Sequence, residues 1–325
     1  MKTFSNVNPK SVPDAVKLLG QPGKSTAIVG GGSDLLGMVK ERLVQPDVLV
    51  NLKAIPSLDK IEERGGQIHI GGLATLTSVS EHPAIRARYK ALADAAGSVG
   101  TPQIRNAGTI AGNVCQRPWC WYFRNGFPCF KNGGKTCFSV VGENEFHAIF
   151  GGGPSFIVHP SDTAPALVAL EAKFRIGGPS GERTVAAADF FASPSKDPAR
   201  ENILAHDEVL VEIQLPSASR NLRSAYHKEL DRESWTHAIV SAAVALEMNR
   251  DVCKRASVVL GGVAPIPWRL PKVEAMLAGK RITAELAAQA GEASVEGARP
   301  LAKNGYKIPL TRTIVKRTIA AVASA

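Results

Sequence analysis

Four of the chain's five cysteines, Cys115, Cys120, Cys129 and Cys137, fall in one segment, "CQRPWCWYFRNGFPCFKNGGKTC", separated by four, eight and seven residues. Thiolates are ligands for soft metals and for iron-sulfur clusters. Crowding in one segment argues for metal ligation in a reducing compartment and against a disulfide scaffold. Structural zinc sites pair their cysteines in short knuckles, and only the first gap here approaches that spacing. The segment also carries Arg117, Arg124, Lys131 and Lys135 and no acidic residue, which suits the negative charge of a thiolate-bound cluster.

Three further stretches could hold an anion or a nucleotide. In "AIVGGGSDLL" an apolar run enters Gly30, Gly31 and Gly32, then Ser33 and a predicted helix. Glycines let the backbone turn with its amides exposed, Ser33 adds a hydroxyl, and the helix presents its N-terminus. The pattern is neither the dinucleotide G-x-G-x-x-G nor a Walker loop, which would need a lysine. In "NAGTIAGNV", Gly108 and Gly112 flank Thr109, and Asn113 supplies an amide. In "HPSDTAPAL", Ser161 and Asp162 sit where a helix cap belongs, and an aspartate there could also accept from ribose hydroxyls. A structural turn without ligand is the alternative for each.

The elements that must position these loops are mixed. The first fifty residues read strand, helix, strand, with "SVPDAVKLL" a capped helix, and "STAIV" and "PDVLVNL" strands. "KIEERGGQIHI" alternates around Gly-Gly, predicting a hairpin that feeds a helix. "ALADAAGSVGTPQIRNAGTIAGNV" is expected to pass from helix to a glycine-studded loop and strand. "HPSDTAPALVALEAKFRI" reads turn, helix, strand, and "DEVLVEIQLP" is a further strand. The turn formers of "PSASRNLRS" mark a boundary near residue 220. Beyond it "HAIVSAAVALEMN" and "CKRASVVLGGVA" predict paired strands, followed by three amphipathic helices. This order implies α+β domains.

At 325 residues the chain should form two or three domains. It has no apolar run of membrane-spanning length, and its N-terminus lacks the pattern of a signal peptide. The net charge of +10 is spread along the chain without a nucleic-acid-binding motif, so an anionic ligand or acidic partner explains it better. No nucleophile-base-acid set is present. His147, His159 and His227 lie near motifs, where turn or packing roles are expected.

Taken in order, "VGGGSDLL", "GGLATLT", "GTPQIRNAGTIAGN", "HPSDTAPALVALEA", "DEVLVEIQLP", "LGGVAPIPWR" and "NGYKIPLTRTIVKRTI" resemble the FAD-binding, medium subunit of molybdenum hydroxylases of the xanthine dehydrogenase and aldehyde oxidoreductase family. The resemblance implies a PCMH-type FAD-binding domain of two α+β subdomains over residues 1–220, with a cysteine-rich insert at 115–155. A CO-dehydrogenase-flavoprotein-like domain of antiparallel sheet plus helices would occupy 221–325. It also implies a division of labour. A large partner would hold molybdopterin and hydroxylate the substrate, a small one would hold two [2Fe-2S] clusters, and this chain would pass electrons through FAD to an acceptor.

By the same resemblance, Ala27, Ile28, Val29, Gly30, Gly31, Gly32, Ser33, Asp34 and Leu35 cradle the FAD pyrophosphate. Thr109, Gly112 and Asn113 form the second cofactor loop. Ser161 and Asp162 serve the third, Asp162 toward the adenosine side, while Leu210 and Lys228 are an apolar and a cationic neighbour of FAD. A lysine near the isoalloxazine would favour reduced, anionic flavin. The insert resembles the subgroup whose flavin subunit also carries a [4Fe-4S] cluster. Cys120, Cys129 and Cys137 match three ligands, but the family's fourth cysteine is here Ser155, in "GGGPS". The fourth ligand is then Cys115, which would have to swing in, or Ser155, or none. The competing functional readings are a stand-alone FAD oxidoreductase acting on a small alcohol or NAD(P)H, and a cofactor-free scaffold. Localisation is expected to be cytoplasmic, or periplasmic if a signal-bearing partner carries the folded chain out.

Overall fold

The computed structural model describes residues 2–324. The chain builds three sheets. The first contains β1 (Ser5–Val7), β2 (Thr26–Val29) and β3 (Val48–Asn51), all parallel in the order β1-β3-β2, so β2 lies at an edge. Helix Val12–Leu19 crosses over between β1 and β2. It starts where expected, with the Ser11 hydroxyl accepting from the Asp14 amide and a proline in the first turn.

The second sheet joins β4 (Ile61–Arg64), β5 (Gln67–Gly71), β6 (Lys173–Gly178), β7 (Gly181–Ala186) and β8 (Val209–Leu215) in the order β4-β5-β8-β6-β7. The β4–β5 hairpin turns on Gly65 and Gly66, both at positive φ (58° and 80°), with Arg64 opposite Gln67. A two-residue turn of this hand requires those dihedrals, and glycine adopts them without strain.

The third sheet is antiparallel. It contains β9 (Leu222–Glu229), β10 (Val240–Asn249), β11 (Val252–Gly261) and β12 (Trp268–Arg269), with β13 (Lys280–Arg281) paired to β11. Helices Pro271–Leu277, Ala284–Ala293 and Lys307–Ser324 accompany it and share its apolar core, from Val244 and Val258 to Ile314 and Ile319.

One expectation fails. The loop-and-strand reading of "GTPQIRNAGTIAGNV" is replaced by two short helices, Pro102–Ala107 and Ile110–Val114. Each is announced by a threonine cap: Thr101 accepts from the Ile104 amide and Thr109 from the Gly112 amide. Helices of six and five residues are too short to display a helical period, which is why the pattern did not reveal them. Residues 115–155 form an irregular segment with one-turn helices at Trp121–Arg124, Phe130–Asn132 and Phe138–Val140.

Candidate functional site: a convergence of glycine loops beside a cysteine-rich insert

The loop after β2 lies directly against the second glycine loop. A Cβ at Gly31 would sit 2.1 Å from the Ala107 carbonyl oxygen and 2.9 Å from Gly108 Cα, and one at Gly30 would meet Thr109 Oγ1 at 3.1 Å and Leu73 at 3.2 Å. Gly32 has φ +78°, a conformation that favours glycine. Gly31 therefore has to be glycine because another backbone passes over it. The backbone amides of Gly31, Gly32, Ser33 and Asp34 donate to no acceptor among the described residues. Such a run of free N–H groups needs water or an anion.

The loop following β5 joins the same place. Gly72 donates to the Val211 carbonyl in β8 at 2.8 Å, Ala111 donates to Gly72 at 3.0 Å, and Leu76 donates to Gly108 at 2.9 Å. A Cβ at Gly72 would come within 2.6 Å of the Leu210 carbonyl oxygen, so Leu210 borders this convergence through its backbone, while its side chain is buried.

The third loop is fastened to the second through Asn113, which is buried. Its Oδ1 accepts from Ser161 Oγ and Thr163 Oγ1, both at 2.6 Å. Capping of helix Thr163–Ala169 falls to Ser161, whose Oγ accepts from the Ala164 amide at 3.0 Å. Asp162 makes no side-chain cap. Its Oδ2 receives Lys228 Nζ at 2.7 Å and its Oδ1 receives Tyr226 Oη at 2.7 Å. Lys228 donates also to the Ser98 carbonyl at 3.1 Å. The pair is almost fully buried, with side-chain exposures of 3% and 5%.

Asp162 and Lys228 touch, so they would meet a cofactor as a pair. Asp162 also neutralises Lys228, which removes most of the pull an isolated lysine would exert on an anionic flavin. Tyr226, two residues before Lys228 on the same face of β9, was not singled out from sequence, although strand alternation places the two side by side. Burial, reinforced by Asp162, raises the Tyr226 phenol well above its ordinary range, keeping it a donor.

Asp34 differs from the rest of its loop. Its carboxylate accepts from Arg124 Nη2 at 2.7 Å and from the Arg117 amide at 3.1 Å, so its side chain belongs to the insert and only its backbone faces the free amides. The insert is clamped a second time at buried Glu201, which pairs with Arg117 at 2.8 Å and Lys131 at 2.7 Å. Burial lowers the Lys131 ammonium pKa, and Glu201 opposes that shift. Three of the four basic residues read as cluster counter-charges thus serve as ion-pair anchors. Trp119 reaches across to His237, with ring centroids 5.2 Å apart and Arg124 over its face at 4.2 Å, so the insert borders the Asp162–Lys228 region.

The cysteines do not form one group. Cys120 and Cys129 share a small apolar cluster with Met38, Phe123 and Phe138, whereas Cys115 packs against the main core of the second sheet. Burial pushes the Cys115 thiol up to about 12. The Cys120 thiol rises to about 11, again by burial, with nearby Cys137 and Cys129 adding to it. Cys137 Sγ lies 3.1 Å from Ser139 Oγ and accepts from the Phe156 amide at 3.4 Å, which brings buried Ser155 to its side. His147, expected to pack, has its Nε2 3.3 Å from Cys120 Sγ. Burial lowers its pKa to about 4, with Lys307 adding to the shift. Among the described residues no three His, Cys, Asp or Glu side chains converge closely enough for a single metal ion.

Residues 2–218 match the FAD binding domain in molybdopterin dehydrogenase, and residues 225–322 match the CO dehydrogenase flavoprotein C-terminal domain. The chain belongs to this family. It is 31% identical to the carbon monoxide dehydrogenase medium chain of Hydrogenophaga pseudoflava, over 96% of this chain and 94% of that one. It is 32% identical to the aldehyde oxidoreductase FAD-binding subunit PaoB of Escherichia coli, over 98% and 96%. The solved carbon monoxide dehydrogenase from Hydrogenophaga pseudoflava superposes with a TM-score of 0.79 at 29% identity, covering 99% of this chain and 97% of that one. The α+β architecture read from the order of elements is that of this family. Among the described residues no helix is long and apolar enough to cross a membrane.

Proposed function

We propose that this chain is the FAD-carrying electron-transfer subunit of a molybdenum-containing dehydrogenase of the aldehyde or xanthine type. The observation that carries the reading is the run of unclaimed amides from Gly31 to Asp34, facing loops 107–113 within a matched FAD-binding domain. Those amides and the Ser33 hydroxyl donate to the pyrophosphate. Ala27, Ile28 and Val29 on the edge strand, with Leu35, supply apolar walls. Thr109 and Gly112 shape the second loop, Asn113 locks it to Ser161, and Leu210 closes the floor. Asp162, Lys228 and Tyr226 form a neutral polar wall that is already ordered without ligand, so little entropy is lost when the cofactor docks. FAD, when bound, accepts electrons singly and releases them singly or in pairs.

Substrate oxidation belongs to a molybdopterin-bearing large subunit, and a [2Fe-2S] small subunit delivers the electrons, as the "medium chain" naming of the relatives suggests. The insert holds a [4Fe-4S] cluster beside the flavin. The complex works where thiols stay reduced, in keeping with five unpaired cysteines. The test is the visible spectrum of the purified full-length chain. A flavin band released on acid precipitation is expected, and a colourless, correctly folded chain that binds no added FAD would overturn the reading.

A further inference from the structure

We infer that the outward face of residues 115–155 docks the iron-sulfur subunit that delivers electrons to this chain, through an apolar, tryptophan-rich patch bordered on one side by basic groups. The inference rests on the proposal above that such a subunit is a partner, and it concerns where that partner sits. The large apolar side chains left exposed among the described residues collect in one region. Six belong to the insert itself: Trp119, Trp121, Phe127, Val140, Val141 and Phe146, with Trp121 64% and Val141 94% exposed. The other three belong to what the insert touches. Trp235 is two residues from His237, which meets Trp119; Tyr306 donates to the Glu145 carbonyl; and Leu36 is on helix Leu35–Lys40, whose Met38 packs with Phe123. Single exposed hydrophobics are ordinary, but one region that holds them all marks a contact surface. Tryptophan, tyrosine and phenylalanine are also the side chains that interface centres favour.

Charge and position select the occupant. Arg117, Arg124 and Lys131 share the two carboxylates of Asp34 and Glu201, and Lys135 is exposed, so the tryptophan side of the patch keeps a positive surplus. At the other end Lys303 neutralises Glu143. The complementary surface is an apolar centre with an acidic rim. A transient acceptor would leave these side chains in water between encounters, whereas a resident subunit keeps them covered. Trp119 stands against His237, and His237 is close enough to feel the charges of Asp162 and Lys228. A protein seated on the patch is therefore beside the cofactor loops, where the subunit that delivers electrons has to be.

The experiment uses the whole complex, produced with both partner subunits and carrying Trp121→benzoylphenylalanine as a photo-crosslinker, with mass spectrometry to identify what it joins. The expected product is this chain joined to the iron-sulfur subunit. In parallel, Trp121→Ala combined with Val141→Ala should raise dissociation of that subunit on dilution at least about tenfold while flavin content stays at the wild-type level. Lys280→Ala should change neither, because Lys280 pairs with Cys253 at the end of β11 remote from Val263, where the insert's Ile149 and Phe150 are bonded. Cross-linking to the molybdenum-bearing subunit or to a second copy of this chain, or no cross-link in the flavin-loaded complex, overturns the docking assignment and leaves the FAD reading standing. So does a double variant that holds the iron-sulfur subunit as tightly as the wild type. A chain that purifies with neither flavin nor partners overturns the reading above as well. Both substituted side chains are exposed, and the cross-link decides the occupant even if the double variant fails to fold.

Discussion

The Asp162–Lys228 pair is the strongest quantitative handle on the site. It joins the start of helix Thr163–Ala169, in the first matched domain, to β9 of the third sheet, in the second. Both groups are nearly excluded from water and lie 2.7 Å apart. Asp162→Asn leaves an ammonium held by the Ser98 carbonyl and an amide oxygen. Lys228→Met leaves a carboxylate held by Tyr226 alone. Removing one member of a buried pair costs about 3–5 kcal/mol, mostly the burden of the stranded charge, whereas removing both costs far less. The double variant should therefore be more stable than the sum of the singles by about 2–3 kcal/mol. Urea unfolding of the flavin-free chain, followed by tryptophan fluorescence and far-ultraviolet circular dichroism, measures this. Single variants that each cost less than about 1 kcal/mol and add without coupling would refute the buried, mutually dependent pair.

Further outcomes follow from the same geometry. Gly31→Ala should cost about 2–3 kcal/mol and weaken FAD retention because its Cβ meets the Ala107 carbonyl, whereas Gly37→Ala, in an exposed helix with nothing within 4 Å, should stabilise by about 0.5–1 kcal/mol; thermal denaturation of both reads the contrast. Arg124→Met should release the insert from Asp34 and speed proteolytic cleavage within residues 115–155, leaving cleavage elsewhere unchanged. Burial opposes ionisation of Glu212, but donors from His69, Gln214 and Arg175 outweigh it and lower the carboxyl pKa to about 2. Its folded pKa is below its unfolded one, so its contribution is complete above the ordinary value of 4.5 and disappears as pH falls toward 2. Since Arg175 is part-exposed, that contribution is discounted to about 1–2 kcal/mol, and Glu212→Gln should flatten the acid limb of a stability–pH curve by that amount.

What could be read from sequence were features whose cause is local. Gly65-Gly66 between alternating runs sets a hairpin whatever surrounds it, and Ser11 followed by proline and aspartate starts a helix on its own account. The stretch around Thr109 failed for a related reason: a one-turn helix has no periodicity to detect, and its threonine cap looks like any turn residue. The contact between Asp162 and Lys228 spans 66 positions and depends on how helix Thr163–Ala169 packs against the third sheet, so no spacing rule could supply it. Gly31 is legible as a glycine that leaves its amide open, but not the backbone of residues 107 and 108 that passes over it.

The insert makes the same point about counting. Four cysteines in a short segment look interchangeable when only spacing is known, and the basic residues among them look like counter-charges. Folding sorts them by what each neighbour packs against. Arg117, Arg124 and Lys131 are consumed in fastening the segment to Asp34 and Glu201, and Cys115 packs at the main core while Cys120 and Cys129 share a pocket with Phe138. Because Asp34 is both the insert's anchor and the last residue of the free-amide loop, a change in the insert reaches the cofactor loop through one carboxylate. Ordering of the insert and flavin binding should therefore be thermodynamically linked, each favouring the other by the same factor. That reciprocity should vanish in Asp34→Asn, which keeps the backbone amides and removes the charge that Arg124 grips.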